Sequence, residues 1–233
     1  MILNGSSRGT MKRYKNIDFE EIFKLIREAL KEADEPSASK SRSSIPDTPF
    51  VTLVACLLSL RTKDEVTEQA VNRLLKVYNT PESIVKLTEE RIASLIYPVG
   101  FYKTKAKRIK EVARTLIDKY NGEVPDDFNE LLKLKGVGRK TANIVMTYGF
   151  KKKGYLAIDT HCHRIPNRLG WVNTKTPEET EQEIKRILPR RYWYEFNHLF
   201  VRFGQRICTP VSPFCSKCPI EKYCEKKLVN KSR

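Results

Sequence analysis

The chain has no long hydrophobic run. Its longest unbroken apolar stretch, Leu53–Leu58, falls far short of the roughly 18 residues a membrane helix needs, so it reads as part of a core helix. Histidine is scarce, and His161, His163 and His198 stand at no spacing that would make them a ligand set with the cysteines. β-Hairpin patterning is missing, and helical periodicity prevails instead. Residues 1–10 lack the apolar segment of a signal peptide. They read as an upstream extension or a cloning remnant, with Met11 the working start. Acidic residues are the most telling shortage: 28 Asp and Glu stand against 44 Lys and Arg, a net charge of +16 over 233 residues. Such a surplus points to an extended polyanion, most simply nucleic acid, against the plainer alternative of a solvated basic face. With 40% hydrophobic and 31% charged residues, the chain has the composition of a folded protein.

The expected fold class is all-α. Phe19, Ile22, Phe23, Ile26 and Leu30 fall three or four apart and form one amphipathic stripe between Ile17 and Ala33. Residues 34–44 are polar and Pro-containing, the composition of a linker or loop. Thr48-Pro49, Thr80-Pro81 and Thr176-Pro177 each pair a cap residue with a proline at the first turn, and Thr176 with Glu179 also spells a capping box. Further helices are expected at 65–78, 104–120, 128–134, 140–148, 181–187 and 191–203. Positive charge concentrates twice. Between Tyr102 and Tyr120, seven Lys and Arg, Lys105 among them, face only Glu111 and Asp118, while between Leu131 and Gly154 seven face no acid at all. A solvated helix face explains the first run adequately.

The second run contains a hairpin: a short helix from Phe128, the turn Gly136-Val137-Gly138, then Arg139-Lys140-Thr141-Ala142 opening another helix. Gly136 and Gly138 are expected to supply positive φ and close approach. Free amides at the new helix start lie at the positive end of its dipole and can hold a phosphate without reading bases. A packing turn between helices is the bland alternative, but an acid-free setting favours backbone binding by Gly136, Val137, Gly138, Arg139 and Thr141.

This segment resembles the helix-hairpin-helix of the endonuclease III family of DNA glycosylases and AP lyases. Leu156-Ala-Ile-Asp159-Thr-His161-Cys-His-Arg resembles that family's second signature, and the similarity runs from about Pro49 to Cys224. The resemblance implies a six-helix barrel over 42–152 that carries the hairpin, and an iron–sulfur lobe formed by 11–41 with 153–233. It implies a DNA cleft between the two, a monomer, damaged double-stranded DNA as partner and no membrane. It also implies Lys140 as nucleophile and Asp159 as essential carboxylate, for removal of oxidised pyrimidines and β-elimination at the abasic site. A mismatch-specific glycosylase, for thymine or adenine, and a non-enzymatic DNA-binding module are the rivals.

Without the resemblance, Lys140 reads as a phosphate contact and Asp159 as a helix N-cap. Both roles are compatible with chemistry. An amine nucleophile must be neutral, and a helix N-terminus beside Arg139 disfavours its charged form. The family fills the gap left by the flipped nucleotide with a glutamine in Ser-x-Gln-x-x-Asp; here Ser59-Leu-Arg61-Thr-Lys-Asp64 puts Arg61 there, which alters the opposite-base contacts, and a plain phosphate contact is its other reading. His161 is expected to orient backbone or touch a phosphate.

Six cysteines, four of them crowded near the end, do not make a secreted disulfide scaffold. A reducing compartment, the cytoplasm with the nucleoid in a prokaryote, and a metal site fit better. Cys208, Cys215, Cys218 and Cys224 are spaced C-x6-C-x2-C-x5-C, which alone suits structural zinc about as well as iron–sulfur. The resemblance implies a [4Fe–4S] cluster, and a monovalent cation on the hairpin carbonyls of Leu132, Leu134 and Val137. Cys56 and Cys162 are expected to be buried small side chains, and Trp171, Trp193 and Tyr194 core.

Overall fold

The computed structural model describes residues 17–32 and 45–233; the readings of 1–10 and 34–44 lie outside them. Among the described residues there are eleven α-helices, a π-helical segment, three 3-10 turns and no strand. The described residues divide into two compact units, one holding 45–157 and the other 17–32 together with 158–233.

The central unit runs through α2 (Pro49–Ser59), α3 (Asp64–Leu75), α4 (Pro81–Val85), α5 (Glu89–Ile96), α6 (Tyr102–Tyr120), α7 (Phe128–Lys133) and α8 (Arg139–Ile144). Its helices bury one continuous core that includes Leu53, Leu57, Leu74, Ile96, Ile109, Leu116, Leu131 and Val145. The expected Thr caps form. Thr48 Oγ1 accepts from Val51 N at 3.2 Å, Thr80 Oγ1 from Ser83 N at 3.3 Å. The reciprocal box closes at Thr80, whose own N–H donates to Ser83 Oγ at 3.2 Å. It does not close at Thr176. There Thr176 Oγ1 caps Glu179 N, but the Glu179 carboxylate accepts from Lys175 N at 2.8 Å instead of reaching back to Thr176. The α8 helix is shorter than its periodicity suggests. It widens at once into a π segment, Val145–Gly149, with Phe150 N bonded to Val145 O at 2.9 Å. Gly149 is seated so closely there that a Cβ would stand 2.9 Å from Pro49 Cα.

The other unit comprises α1 (Phe19–Glu32), α9 (Thr160–Leu169), α10 (Pro177–Ile187) and α11 (Trp193–Arg206), followed by the cysteine loop. Its core is aromatic. Phe23 sits 5.6 Å from Phe200, which stacks on Phe196 at 4.3 Å, and Trp171 meets Phe19 edge-on at 5.0 Å. Arg27 joins α1 to α11 through both oxygens of Glu195, at 2.8 and 3.0 Å. Trp171 and Trp193 are core, the latter donating its indole N–H to Leu188 O at 2.9 Å. Tyr194 is not: next to Trp193 on α11, it falls on the helix's outer side and is 60% exposed.

Candidate functional site

The hairpin forms as α7, a turn and α8. Asp127 caps α7 by accepting from Asn129 N and Glu130 N at 2.8 and 3.0 Å. Lys135 is tied back to Glu111 of α6 at 2.9 Å. Gly136 takes φ +82°, the left-handed conformation glycine adopts without a Cβ penalty. Gly138 differs from the reading above. Its φ is −99° with ψ 178°, extended backbone open to any residue, and a Cβ built there meets nothing within 4 Å. Only Gly136 is needed by the turn itself.

Gly138 is the N-cap of α8 and offers no side chain to cap it. The first-turn amides, which have no intrahelical acceptor, are therefore available to an external anion. Two expected contacts are narrowed. Val137 is buried and its N–H is spent on Leu134 O at 3.0 Å. Thr141 is 4% exposed, so its hydroxyl cannot reach a bulky ligand and its contribution is confined to backbone. Arg139 turns back, its guanidinium 5.1 Å over the Phe128 ring. Lys140 is half-exposed on the first turn of α8. Its charge reaches Cys56, a half-buried residue of α2 whose thiol is nonetheless pushed up to about 12 by burial, with Lys140 pulling the other way.

Arg61 lies in the turn between α2 and α3 at φ +53° and is exposed. The strongly basic α6 is less of an open charged face than its sequence suggests. Lys105 is buried, and Lys110 Nζ donates to Leu87 O at 2.5 Å.

In the other unit, Asp159 is the N-cap of α9: its Oδ1 accepts from His161 N at 2.9 Å and Cys162 N at 2.8 Å. The helix continues past Arg164 and through Pro166 to Leu169. His161 Nδ1 lies 3.0 Å from Arg164 Nη2, which also donates to Gly204 O and to Cys208 O at 2.8 Å. Cys162 is fully buried.

The four loop cysteines line one small space of about 20 Å³, partly open to solvent, with Ile165, Arg168 and Phe203 among its other walls. Burial, and then the neighbouring Cys208, Cys224 and Cys215 sulfurs, push the Cys218 thiol up to about 12, against a hydrogen bond from Ile220 N. Burial likewise raises Cys224. Besides Ile220 N, two further N–H groups aim at sulfur: Arg168 Nη1 at Cys208 Sγ, 3.4 Å, and Lys226 N at Cys224 Sγ, 3.3 Å. Arg168 further anchors Thr209 O at 2.7 Å and Pro210 O at 2.6 Å. Four soft sulfur donors around one space, with N–H groups to stabilise thiolates, fit an iron–sulfur group. Among the described residues, no three His, Cys, Asp or Glu side chains are arranged to hold a single metal ion.

Residues 54–190 match the model of the HhH-GPD superfamily of base excision DNA repair proteins. The chain belongs to this family. It is 52% identical to endonuclease III of Thermotoga maritima over 177 residues, 76% of this chain and 83% of that one. The fold is that of a trapped endonuclease III–DNA covalent intermediate, an estranged-adenine complex, with TM-score 0.74 and 33% identity over 89% of this chain and 95% of that one. A thermostable thymine-DNA glycosylase also matches, with TM-score 0.75 and 25% identity over 93% and 98% of the two chains. The family match spans the hairpin, Lys140 and Asp159, and endonuclease III proteins generally carry a [4Fe–4S] cluster. No described helix is long and apolar enough to cross a membrane.

Proposed function

We propose that this protein is a bifunctional DNA glycosylase and AP lyase of the endonuclease III type, removing oxidised pyrimidines from duplex DNA and cleaving the resulting abasic site in base excision repair. The observation that carries the reading is Lys140, on the uncapped first turn of α8 directly behind the Gly136 turn. A nucleophile there meets the sugar while the neighbouring amides hold a phosphate.

The neutral Lys140 amine attacks C1′ of a flipped nucleotide. The N–C1′ bond forms as the glycosidic bond breaks, and the base leaves with its electron pair and gains a proton. The sugar ring then opens: the nitrogen lone pair forms the C1′ iminium as the C1′–O4′ bond breaks, and O4′ takes a proton from water. The iminium acidifies the C2′ proton; its loss expels the 3′ phosphate by β-elimination. Oδ1 of Asp159 is committed to the α9 cap, which fixes the carboxylate. Its negative charge stabilises the oxocarbenium-like sugar, and it assists in taking the proton from Lys140. A relative trapped as a covalent DNA intermediate supports this route. Cys208, Cys215, Cys218 and Cys224 would hold the [4Fe–4S] cluster, which when bound supplies redox-active iron and a cross-link for the loop. The hairpin carbonyls would take a monovalent cation, although Leu134 O already accepts Val137 N. The protein would act as a monomer wherever cellular DNA lies, the cytoplasm in a prokaryote.

The test is borohydride trapping on duplexes carrying an oxidised pyrimidine, an abasic site or a G·T mismatch. The reading expects a covalent adduct with the first two, abolished by Lys140→Gln. Preference for G·T would favour the second reading, a thymine glycosylase, which the likeness to the thymine enzyme supports. No adduct and no released base with any duplex would leave a non-enzymatic module.

A further inference from the structure

Lys105 stands near the start of α6 and is 5% exposed. An ammonium has three donors, and three oxygens receive them: Leu58 O at 2.8 Å, Leu60 O at 2.5 Å and Thr62 Oγ1 at 3.0 Å. None of these is a carboxylate. Leu58 lies in the last turn of α2 and Leu60 is its C-cap, so the buried cation sits at the negative end of a helix dipole, where a lysine satisfies terminal carbonyls. Burial, helped by the charge of Arg108, lowers its pKa to about 8, which still leaves the ammonium form dominant at neutral pH.

The turn gripped in this way is the one that carries Arg61. Its left-handed φ of +53° is one that a non-glycine residue keeps only when its surroundings hold it. The second contact brings Gly100 against the same turn. Gly100 N donates to Thr62 Oγ1 at 3.2 Å, and a Cβ on Gly100 would stand 2.7 Å from Arg61 O. The next residue, Phe101, is also left-handed at φ +58°, and it is 65% exposed. The Arg61 guanidinium lies 6.0 Å from the Phe101 ring centroid.

We infer that Lys105 is a positioning residue for lesion capture: its ammonium locks the Leu60–Thr62 turn to the start of α6, so that Arg61 and Phe101 stand as one preformed cation–aromatic pair that enters the duplex where a base has left it. This rests on the glycosylase reading and on Arg61 as the gap-filling residue. The chemistry suits that place. An aromatic face stacks on any base, and a guanidinium both stacks and donates to base edges. A pair held in advance loses little freedom on insertion, whereas a loose turn would have to be ordered each time. Intact duplex, with no vacancy to fill, does not call on the pair.

The experiment compares affinities of the full chain for a duplex with a tetrahydrofuran abasic analogue and for the same duplex undamaged, together with borohydride trapping. Lys105→Met should lose about tenfold in preference for the abasic analogue, the scale of one well-placed interaction, while undamaged affinity changes less than about twofold, since phosphate contacts dominate it. Thr62→Val removes the acceptor from the other side without touching the buried lysine. It should shift preference the same way even if Lys105→Met folds poorly. Arg61→Ala should cause a similar loss and add little to Lys105→Met, because both act through one pair. Parental preference in folded Lys105→Met and Thr62→Val, or fully additive losses in the double variant, would overturn the clamp. If the unaltered protein traps on abasic DNA but shows no preference for the analogue, the clamp alone fails; if it neither traps nor discriminates, the glycosylase reading beneath it fails.

Discussion

Arg108 runs directly beneath Gly136: a Cβ built on the glycine would stand 2.5 Å from Arg108 Cδ and 2.9 Å from its Nε. Gly136 is also at φ +82°, so alanine there meets both a backbone penalty of about 1–2 kcal/mol and a crowded guanidinium. Gly136→Ala should lower stability measurably in urea unfolding. Gly138→Ala should leave stability unchanged, because its backbone is extended and its Cβ site is open. If Gly138→Ala nevertheless weakens binding equally for damaged and undamaged duplex, the open space is where the phosphate sits. A loss confined to lesion DNA would instead mean that the hairpin reads damage.

Lys135 beside that turn is held by Glu111 of α6 at 2.9 Å, so the carboxylate competes with DNA for the cation. Glu111→Gln should raise affinity for any duplex at low salt and steepen the salt dependence by up to about one counterion, with the gain fading as salt rises. The Lys135 hydrogen bond, and then the charges of Lys135, Lys107 and Arg108, hold the Glu111 carboxyl below its ordinary 4.5. For a depressed carboxylate, the stabilisation is present above 4.5 and is lost as pH falls through the lower folded value. The effect of Glu111→Gln on binding should therefore be constant from pH 5 to 8 and shrink only below 4.5. A strong change in that effect between pH 6 and 8 would assign the coupling to another group.

Asp159 has two roles that substitution can separate. As N-cap it accepts two amides through Oδ1, a contribution of about 1 kcal/mol that alanine removes and asparagine keeps. Asp159→Asn should melt like the parent while base excision falls by orders of magnitude; Asp159→Ala should lose both stability and activity. Parental excision rates in a folded Asp159→Asn would remove the carboxylate from the chemistry.

The sequence made the helical fold legible because the relevant signals are local. Thr-Pro caps and stripes such as Phe19–Leu30 depend on neighbours three and four residues apart, and Asp159 as a cap could be read from its place before Thr160. What escaped depends on tertiary neighbours. Lys105 was one cation in a basic run, and only the approach of Leu58, Leu60 and Thr62 turns it inward. Gly138 and Gly136 look alike in sequence, yet only one needs positive φ, because the hairpin reverses at Gly136 and has become extended by Gly138. The short helix Glu89–Ile96 announces itself by Thr88, which caps Arg91 N at 3.1 Å, but without a proline after it the signal is faint. Arg164 and Arg168 gave no hint of their carbonyl and sulfur partners some 40 residues on.

The cysteine loop provides the last test. With the four thiols protonated, burial keeps Cys218 near 12 and raises Cys224, so the apolar walls around them gain nothing from charge until a metal group replaces the protons. Purified anaerobically, the protein should be yellow-brown, with about four iron and four sulfide per chain. Cys215→Ser should lower both iron content and soluble yield, because ligation ties the loop to Arg168 and α9, and removing the cluster from the intact protein should reduce thermal stability by linkage. Stoichiometric zinc in a colourless protein would replace the iron–sulfur assignment with a structural zinc. It would leave the glycosylase reading intact, since Lys140 and Asp159 lie outside the loop and their roles are tested separately.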